Sequence, residues 1–340
     1  MSLIKKGNNS RGISRRDFLN MGSTASMGLW IAGNTKWLQN FAKPTSQYFG
    51  VQIGVITYSY RSMPGGIDQT LRYITDSGIN AIELMGDVIE DYAGKPANPV
   101  KMPPRVPGQQ PQLTDEQKAQ IAIYEKQVAE WRSSVSMDKF QEARTKFNNA
   151  GITIYAFKPN ALGIKNTDAE IEYALRAAKI IGATSVTVEL PTDPAQSKRL
   201  GEFGAKHKIY IGYHAHTQAT DVAWDTALDQ SPYNSMNLDC GHYIAAGGNN
   251  TRESLLALIK QRHDRITTLH LKDRQNKEKG GANMPWGQGD TPIREILTIL
   301  KEGKYKIPAT IELEYEIPSG SNAVIETKNC LEFARKALGA

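Results

Sequence analysis

Four of the six histidines in this chain, His214, His216, His242 and His270, stand within three residues of the end of a run that reads as a β-strand. Carboxylates take the same place on neighbouring runs, so that five consecutive runs end in Glu189, His214 with His216, Asp239 with His242, His270 with Lys272 and Asp273, and Glu312 with Glu314. One such residue alone is a helix cap or a satisfied polar group. Five in succession ask for more. Three carboxylates gathered at one end of a fold must take up protons or hold a cation, because buried like charges are costly. Carboxylate and imidazole donors without a thiolate suit one divalent ion, Mn²⁺, Co²⁺, Mg²⁺ or Zn²⁺, and do not choose among them. Cys240, beside Asp239, points the opposite way along an extended strand and is not taken as a ligand.

One reaction that such a group can serve is removal of a proton next to a carbonyl, with the metal taking the charge that develops on the enediolate. A base of near-neutral pKa must stand within hydrogen-bond reach of the carbon. His216 is the leading base, since two residues beyond His214 it projects to the same side of an extended chain and one layer farther out. His242 suits a substrate hydroxyl or the second proton transfer. Lys272 suits a cation for the developing oxyanion or a leaving hydroxide. Glu314 either contacts substrate or orients a ligand.

The elements that must carry these residues alternate with little variation. Strand-like runs cover 51–57, 80–84, 152–157, 184–189, 209–214, 235–239, 266–271 and 308–314, and helical patterns cover 67–77, 114–149, 167–181, 195–207, 220–229, 251–263, 291–302 and 322–338. Thr114 with Gln117, and Thr167 with Glu170, are helix-start signals. Val- and Ile-rich runs without strict polar alternation suit a parallel sheet covered on both faces. Eight such units fit an α/β fold of the closed (β/α)₈ kind, in which reactive groups project from the carboxyl ends of the strands. A doubly wound sheet would more often carry a glycine-rich turn after its first strand, and Thr57-Tyr58-Ser59-Tyr60-Arg61 offers none. Residues 86–113 break the rhythm as a Pro/Gly-rich insertion, read either as a surface excursion or as a wall over the mouth of the barrel.

With 340 residues, 40% hydrophobic, 22% charged and two cysteines, the chain is neither disordered nor a disulfide scaffold. Its net charge of +6 belongs to residues 1–49, which hold seven basic residues against Asp17 alone, so residues 50–340 are balanced. That argues against a nucleic-acid partner. Ser14-Arg15-Arg16-Asp17-Phe18-Leu19, before a weakly apolar run to Gly33, resembles a twin-arginine export signal. The resemblance implies export by the twin-arginine machinery to the periplasm, with residues 1–49 as signal and linker, 50–340 as one domain, and an uncleaved membrane anchor left open. Self-association into a homo-oligomer is also left open.

Gly212-Tyr213-His214-Ala215-His216, Asn237-Leu238-Asp239-Cys240-Gly241-His242, Leu269-His270-Leu271-Lys272-Asp273, Gly287-Gln288-Gly289-Asp290 and Ile311-Glu312-Leu313-Glu314 follow one another here. They resemble the signature blocks of the xylose isomerase-like TIM barrels, over roughly residues 50–338. That superfamily holds sugar isomerases and epimerases, dehydratases and endonuclease IV. The resemblance implies a metal site of Asp239, His270 and Glu312, with a fourth ligand from the strand ending at 214. The epimerases have a glutamate there, whereas this chain resembles the Tyr-His-x-His branch and offers His214, with Glu189 on the preceding strand as the other candidate. By its own chemistry Trp286 suits either stacking on the apolar face of a sugar ring or plugging the barrel mouth, and Asp290 suits a cap on the helix beginning near Thr291. The function implied is a metal-dependent sugar isomerase or epimerase. The alternatives are an exported lyase or hydratase of 3-keto sugars or glycoside-derived intermediates, and a carbohydrate-binding barrel without catalysis.

Overall fold

A computed structural model describes residues 44–101 and 112–340. Contacts divide the chain after Phe41, and everything described lies in the second unit, from Ala42 on. The twin-arginine segment and residues 102–111 of the insertion lie outside the described residues. Among the described residues no helix is long and apolar enough to cross a membrane.

Eight parallel strands close into a barrel: β1 (Val51–Ile56), β2 (Ala81–Met85), β3 (Thr153–Lys158), β4 (Ser185–Glu189), β5 (Tyr210–His214), β6 (Asn234–Asp239), β7 (Ile266–Leu271) and β8 (Ala309–Ile311). Each pairs with the next, and β8 pairs with β1 to remove the last edge. The helices are α1 (Ile67–Asp76), α2 (Gly86–Tyr92), α3 (Asp115–Ser134), α4 (Asp138–Asn149), α5 (Asp168–Ile181), α6 (Pro194–His207), α7 (Asp225–Gln230), α8 (Cys240–Ala246), α9 (Arg252–Arg262), α10 (Ile293–Glu302) and α11 (Ala323–Leu338). The expected capping boxes at Thr114–Gln117 and Thr167–Glu170 are both formed.

Side chains alternate along each strand between two environments. The outward set, including Val186, Ile211, Tyr213, Leu238, Leu269 and Leu271, is wholly buried under the helices and forms the apolar core. The inward set is largely polar: Thr187, Asn237, Thr268, His270 and Thr310 are also wholly buried. Tyr155 spans the lower interior to Thr310 at 2.8 Å, and Thr268 meets Thr310 at 2.9 Å. Gly54 is required there, since a Cβ on it would stand 2.4 Å from the Tyr155 hydroxyl.

Four local expectations are corrected. The single helix over 114–149 is two, because Val135 takes an extended conformation, and the Ser136 hydroxyl accepts from the Asp138 amide where the second begins. The final strand ends at Ile311, so Glu312 and Glu314 lie on irregular chain beyond it. The insertion opens with helix α2, held by the buried Glu90, which pairs with Arg132 of α3 and accepts from Tyr173 of α5 at 3.1 Å. A short helix, α8, follows β6 at once, with the Asp239 carboxylate as its cap.

Candidate active site

Asp239 and His270 are opposite one another in the register of β6 and β7, and Glu189 is opposite His214 in that of β4 and β5. Strand closure therefore delivers the five strand ends to one rim. The deepest member is His270, whose Nδ1 lies 2.9 Å from Glu312 Oε2 and 3.9 Å from Asp239 Oδ2. Its other nitrogen is 2.8 Å from Glu83 Oε2. Burial alone would depress the His270 pKa, but Glu83 and Glu312 outweigh it and raise it to about 10, so the ring is an imidazolium between two carboxylates.

Glu83 also sets the state of His214. The Asn237 amide nitrogen points at the Glu83 carboxylate, 3.2 Å away, so its carbonyl oxygen faces His214 Nδ1 at 3.0 Å. Nδ1 must then carry the proton, and Nε2 of His214 is left with its lone pair. Burial, the Lys158 ammonium and the His270 charge hold the His214 pKa well below its ordinary value, so the ring stays neutral. Glu83 and Asn237 had no role in the sequence reading. Their signal was a lone Glu inside the apolar run Ala81–Met85 and an Asn of inward parity two residues before Asp239.

Lys272 stands between the carboxylates, its Nζ 2.8 Å from Glu312 Oε2, 2.8 Å from Glu314 Oε2 and 2.9 Å from Asp239 Oδ2. Burial disfavours the ammonium, but the three carboxylates raise its pKa. Asp239 is held above the usual carboxylate range, mainly by burial and also by the neighbouring Glu312 charge. Glu312 goes the other way: burial would raise it, but Lys272 and His270 take it well below. Asp239 Oδ1 accepts from the His242 amide at 2.7 Å, whereas the buried Oδ2 is ion-paired with Lys272.

Farther out, the imidazoles form a ladder towards solvent. His270 and His214 have centroids 5.0 Å apart, His214 and His216 4.9 Å, and His216 and His242 4.6 Å. His216 is half-exposed, and its Nδ1 is 3.2 Å from Glu189 Oε2. The other Glu189 oxygen pairs with Lys158 at 2.9 Å, a partner that the sequence reading missed at the end of β3. Burial would raise the Glu189 pKa, but His216, Lys158 and His214 carry it far below the ordinary value. His242 is pressed from both sides, with Lys272 3.1 Å from Nε2 and Arg274 2.6 Å from Nδ1. Burial first, and then the Lys272 charge, lower its pKa to about 2.

Among the described residues two groups bring ligand atoms close enough for one ion: His214 with Asp239 and His270, and His214 with His216 and His242. His214 has one free nitrogen and can serve only one of them. Both lie near Lys272, but the second group has no carboxylate and adds Arg274, while the first includes Asp239 and lies against Glu312. Electrostatics favours the first. Asp239 Oδ2, the Glu312 carboxylate, His214 Nε2 and, once an ion displaces its proton, His270 Nδ1 form a donor set fitted to a divalent ion, with Glu83 as the outer partner that orients His270.

Trp286 is buried, its ring meets Phe333 of α11 edge-on at 5.8 Å, and among the described residues its indole N–H has no partner. Asp290 does not cap α10. Its carboxylate accepts from the Asn276 amide at 2.9 Å and ties the loop after β7 together. Asp273 does the same for residues 287–291, accepting from the Gly287 and Gly289 amides at 2.7 and 2.9 Å.

No curated protein matches the chain at a significant level. Among solved structures it is similar to one described as the probable 3-DHS dehydratase AsbF of Bacillus anthracis, at 14% identity and a TM-score of 0.57, covering 83% of this chain and 98% of that one. A sugar phosphate isomerase/epimerase from Parabacteroides distasonis is similar at 14% identity and a TM-score of 0.50, with 87% and 94% covered. A Xylose isomerase-like TIM barrel protein from Mycobacterium smegmatis, in complex with magnesium, is similar at 14% identity and a TM-score of 0.53, with 86% and 98% covered. At these identities the likeness is one of fold. The family model described as Xylose isomerase-like TIM barrel matches residues 119–332. Spanning more than half of the chain and every strand from β3 to β8, that match, with the closed barrel around it, makes this protein a member of the Xylose isomerase-like TIM barrel family.

Proposed function

We propose that the protein is a divalent-metal-dependent carbohydrate isomerase or epimerase that takes the proton next to a carbonyl. The observation that carries this reading is the convergence of ligand atoms of His214, Asp239 and His270 within 4.8 Å of one another, all buried, beside the Glu312 carboxylate. Asp239, Glu312, His270 through Nδ1 and His214 through Nε2 would hold the ion. When bound, such an ion polarises a carbonyl and takes up charge as the neighbouring proton leaves.

His216 takes that proton. Glu189 accepts from its Nδ1–H, which frees the opposite nitrogen, and half-exposure lets substrate reach it. Lys272 offers its charge to the developing oxygen anion, while Glu314 steers the ammonium from 2.8 Å. His242, kept neutral, meets a substrate hydroxyl. We place the enzyme in the periplasm, exported by the twin-arginine machinery, on the Ser14-Arg15-Arg16 motif. The even charge of residues 50–340 supports a carbohydrate partner over a nucleic acid.

The test is elemental analysis of purified protein with and without Glu312→Ala, followed by incubation with ketoses and 3-keto glycosides in D₂O. One equivalent of metal in the wild type, reduced in the variant, and metal-dependent exchange at carbon are expected. Exchange should vanish in His216→Ala while the metal is retained. Failure to bind Mn²⁺, Co²⁺, Mg²⁺ or Zn²⁺ would remove the reading. Metal and sugar bound without exchange would make the protein a binding barrel.

A second reading, a lyase or hydratase of 3-keto sugars, begins with the same proton abstraction. The Lys272 ammonium supports it, since a leaving oxygen needs a proton and a nearby positive charge and Lys272 carries both. Loss or gain of water in the product, seen by NMR, distinguishes the two.

A further inference from the structure

A recess of about 440 Å³ lies between the loops that follow β3 and β4, against α6. Leu162, Ile164, Leu190 and Pro191 supply its apolar walls. Ile164 is a large apolar side chain left 61% exposed at this site. Several polar side chains in the lining are already committed. Gln196 donates to the Leu162 carbonyl at 2.9 Å, Asn166 accepts from the Gly163 amide at 2.8 Å and donates to Glu170 at 2.9 Å, and Asp193 caps α6 by accepting from the Ala195 amide at 2.9 Å. A hydroxylated ring placed here would find few partners for its hydroxyls and would lose hydration without recompense.

The charged end of the recess is the Lys158–Glu189 pair. Glu189 belongs to both regions: Oε1 meets Lys158, and Oε2 meets His216. A ligand filling the recess therefore ends one carboxylate away from the base. The apolar part must be attached to the reacting part, and it sits on the side of the site away from Lys272 and Arg274.

We infer that this recess takes an apolar aglycone, so that the substrates are glycosides carrying an aromatic or branched aliphatic group rather than free sugars. The inference rests on the carbohydrate reading given above. Its volume falls within the range of ordinary small-molecule sites and exceeds what a methyl group would use.

The test compares methyl and phenyl glycosides of glucose, galactose and xylose by calorimetry on the full chain with Mn²⁺. None of these carries the keto group needed for turnover. In at least one pair the phenyl glycoside should bind about tenfold or more tightly than its methyl partner. Ile164→Asp, a change at an exposed position, should abolish that gain and leave the methyl glycoside unaffected. Equal affinities within each pair, or a phenyl preference untouched by Ile164→Asp, would overturn the aglycone site while sparing the carbohydrate reading. No binding of any glycoside, methyl or phenyl, would overturn both.

Discussion

Glu83 governs two imidazoles from a strand neither of them belongs to. It accepts from His270 Nε2 directly and reaches His214 through the Asn237 amide, so one carboxylate decides which nitrogen of each ring faces the centre. Glu83→Gln keeps the shape but puts an ambiguous amide opposite both partners. Outer partners of this kind are worth about 10- to 100-fold in metal affinity. We expect a Mn²⁺ or Co²⁺ titration of Glu83→Gln to show a loss of that order, with circular dichroism unchanged. An unaltered affinity would mean that Glu83 does not set the rings.

At the scale of elements, the site depends on how closely helices approach strand ends. Gly241 opens α8 directly against β7, and a Cβ on it would stand 2.3 Å from Lys272 Cγ and 2.7 Å from the Lys272 carbonyl oxygen. Gly241→Ala must therefore move either α8 or the lysine that neutralises three carboxylates. Overpacking of this kind costs about 1–3 kcal/mol. Denaturant unfolding should show that loss, and activity should fall beyond it because Lys272 is displaced. Helix α2 hangs on a different device. Arg132 of α3 donates to Glu90 of α2 at 3.2 Å and to Glu170 of α5 at 3.1 Å, all three being buried. Removing one partner leaves buried charge behind, at about 3–5 kcal/mol. Arg132→Leu should lower the unfolding free energy by that amount, whereas a loss under about 1 kcal/mol would show that Lys95, 3.3 Å from Glu90, suffices alone.

Over the whole molecule, burying neutral histidines links the fold to pH. His214 and His242 are both depressed, His242 to about 2, whereas the unfolded chain protonates its histidines near 6.5. A group depressed on folding contributes stability that is present above its unfolded pKa and lost as the pH falls towards its folded one. The metal-free protein should therefore lose stability from about pH 6.5 downwards. In His242→Gln the drop in urea midpoint between pH 7 and pH 5 should shrink. An identical drop would assign the acid sensitivity to His214 or to the carboxylates. The barrel also explains why the sensitive groups share one end: closure of β8 on β1 leaves no edge, and the upper interior is the one place where inward side chains from all the strands meet.

The sequence by itself determined the order and type of the elements and the residues that end them. Strand patterns and caps are local, and seven of the eight strands lie within a residue or so of where Val, Ile and flanking polar residues put them. The helix break at Val135 and the helices α2 and α8 escaped, because each is held by contacts from distant segments rather than by its own periodicity. Glu189, His214, Asp239, His270 and Glu312 were legible as strand-end ligand types. Tertiary structure alone decided that Glu83, 187 positions from His270, orients it, that Lys272 stands among three carboxylates, and that Trp286 packs on Phe333. Which nitrogen faces a centre, and which carboxylates share Lys272, follow from distances across the barrel. Those distances exist only once the chain has closed.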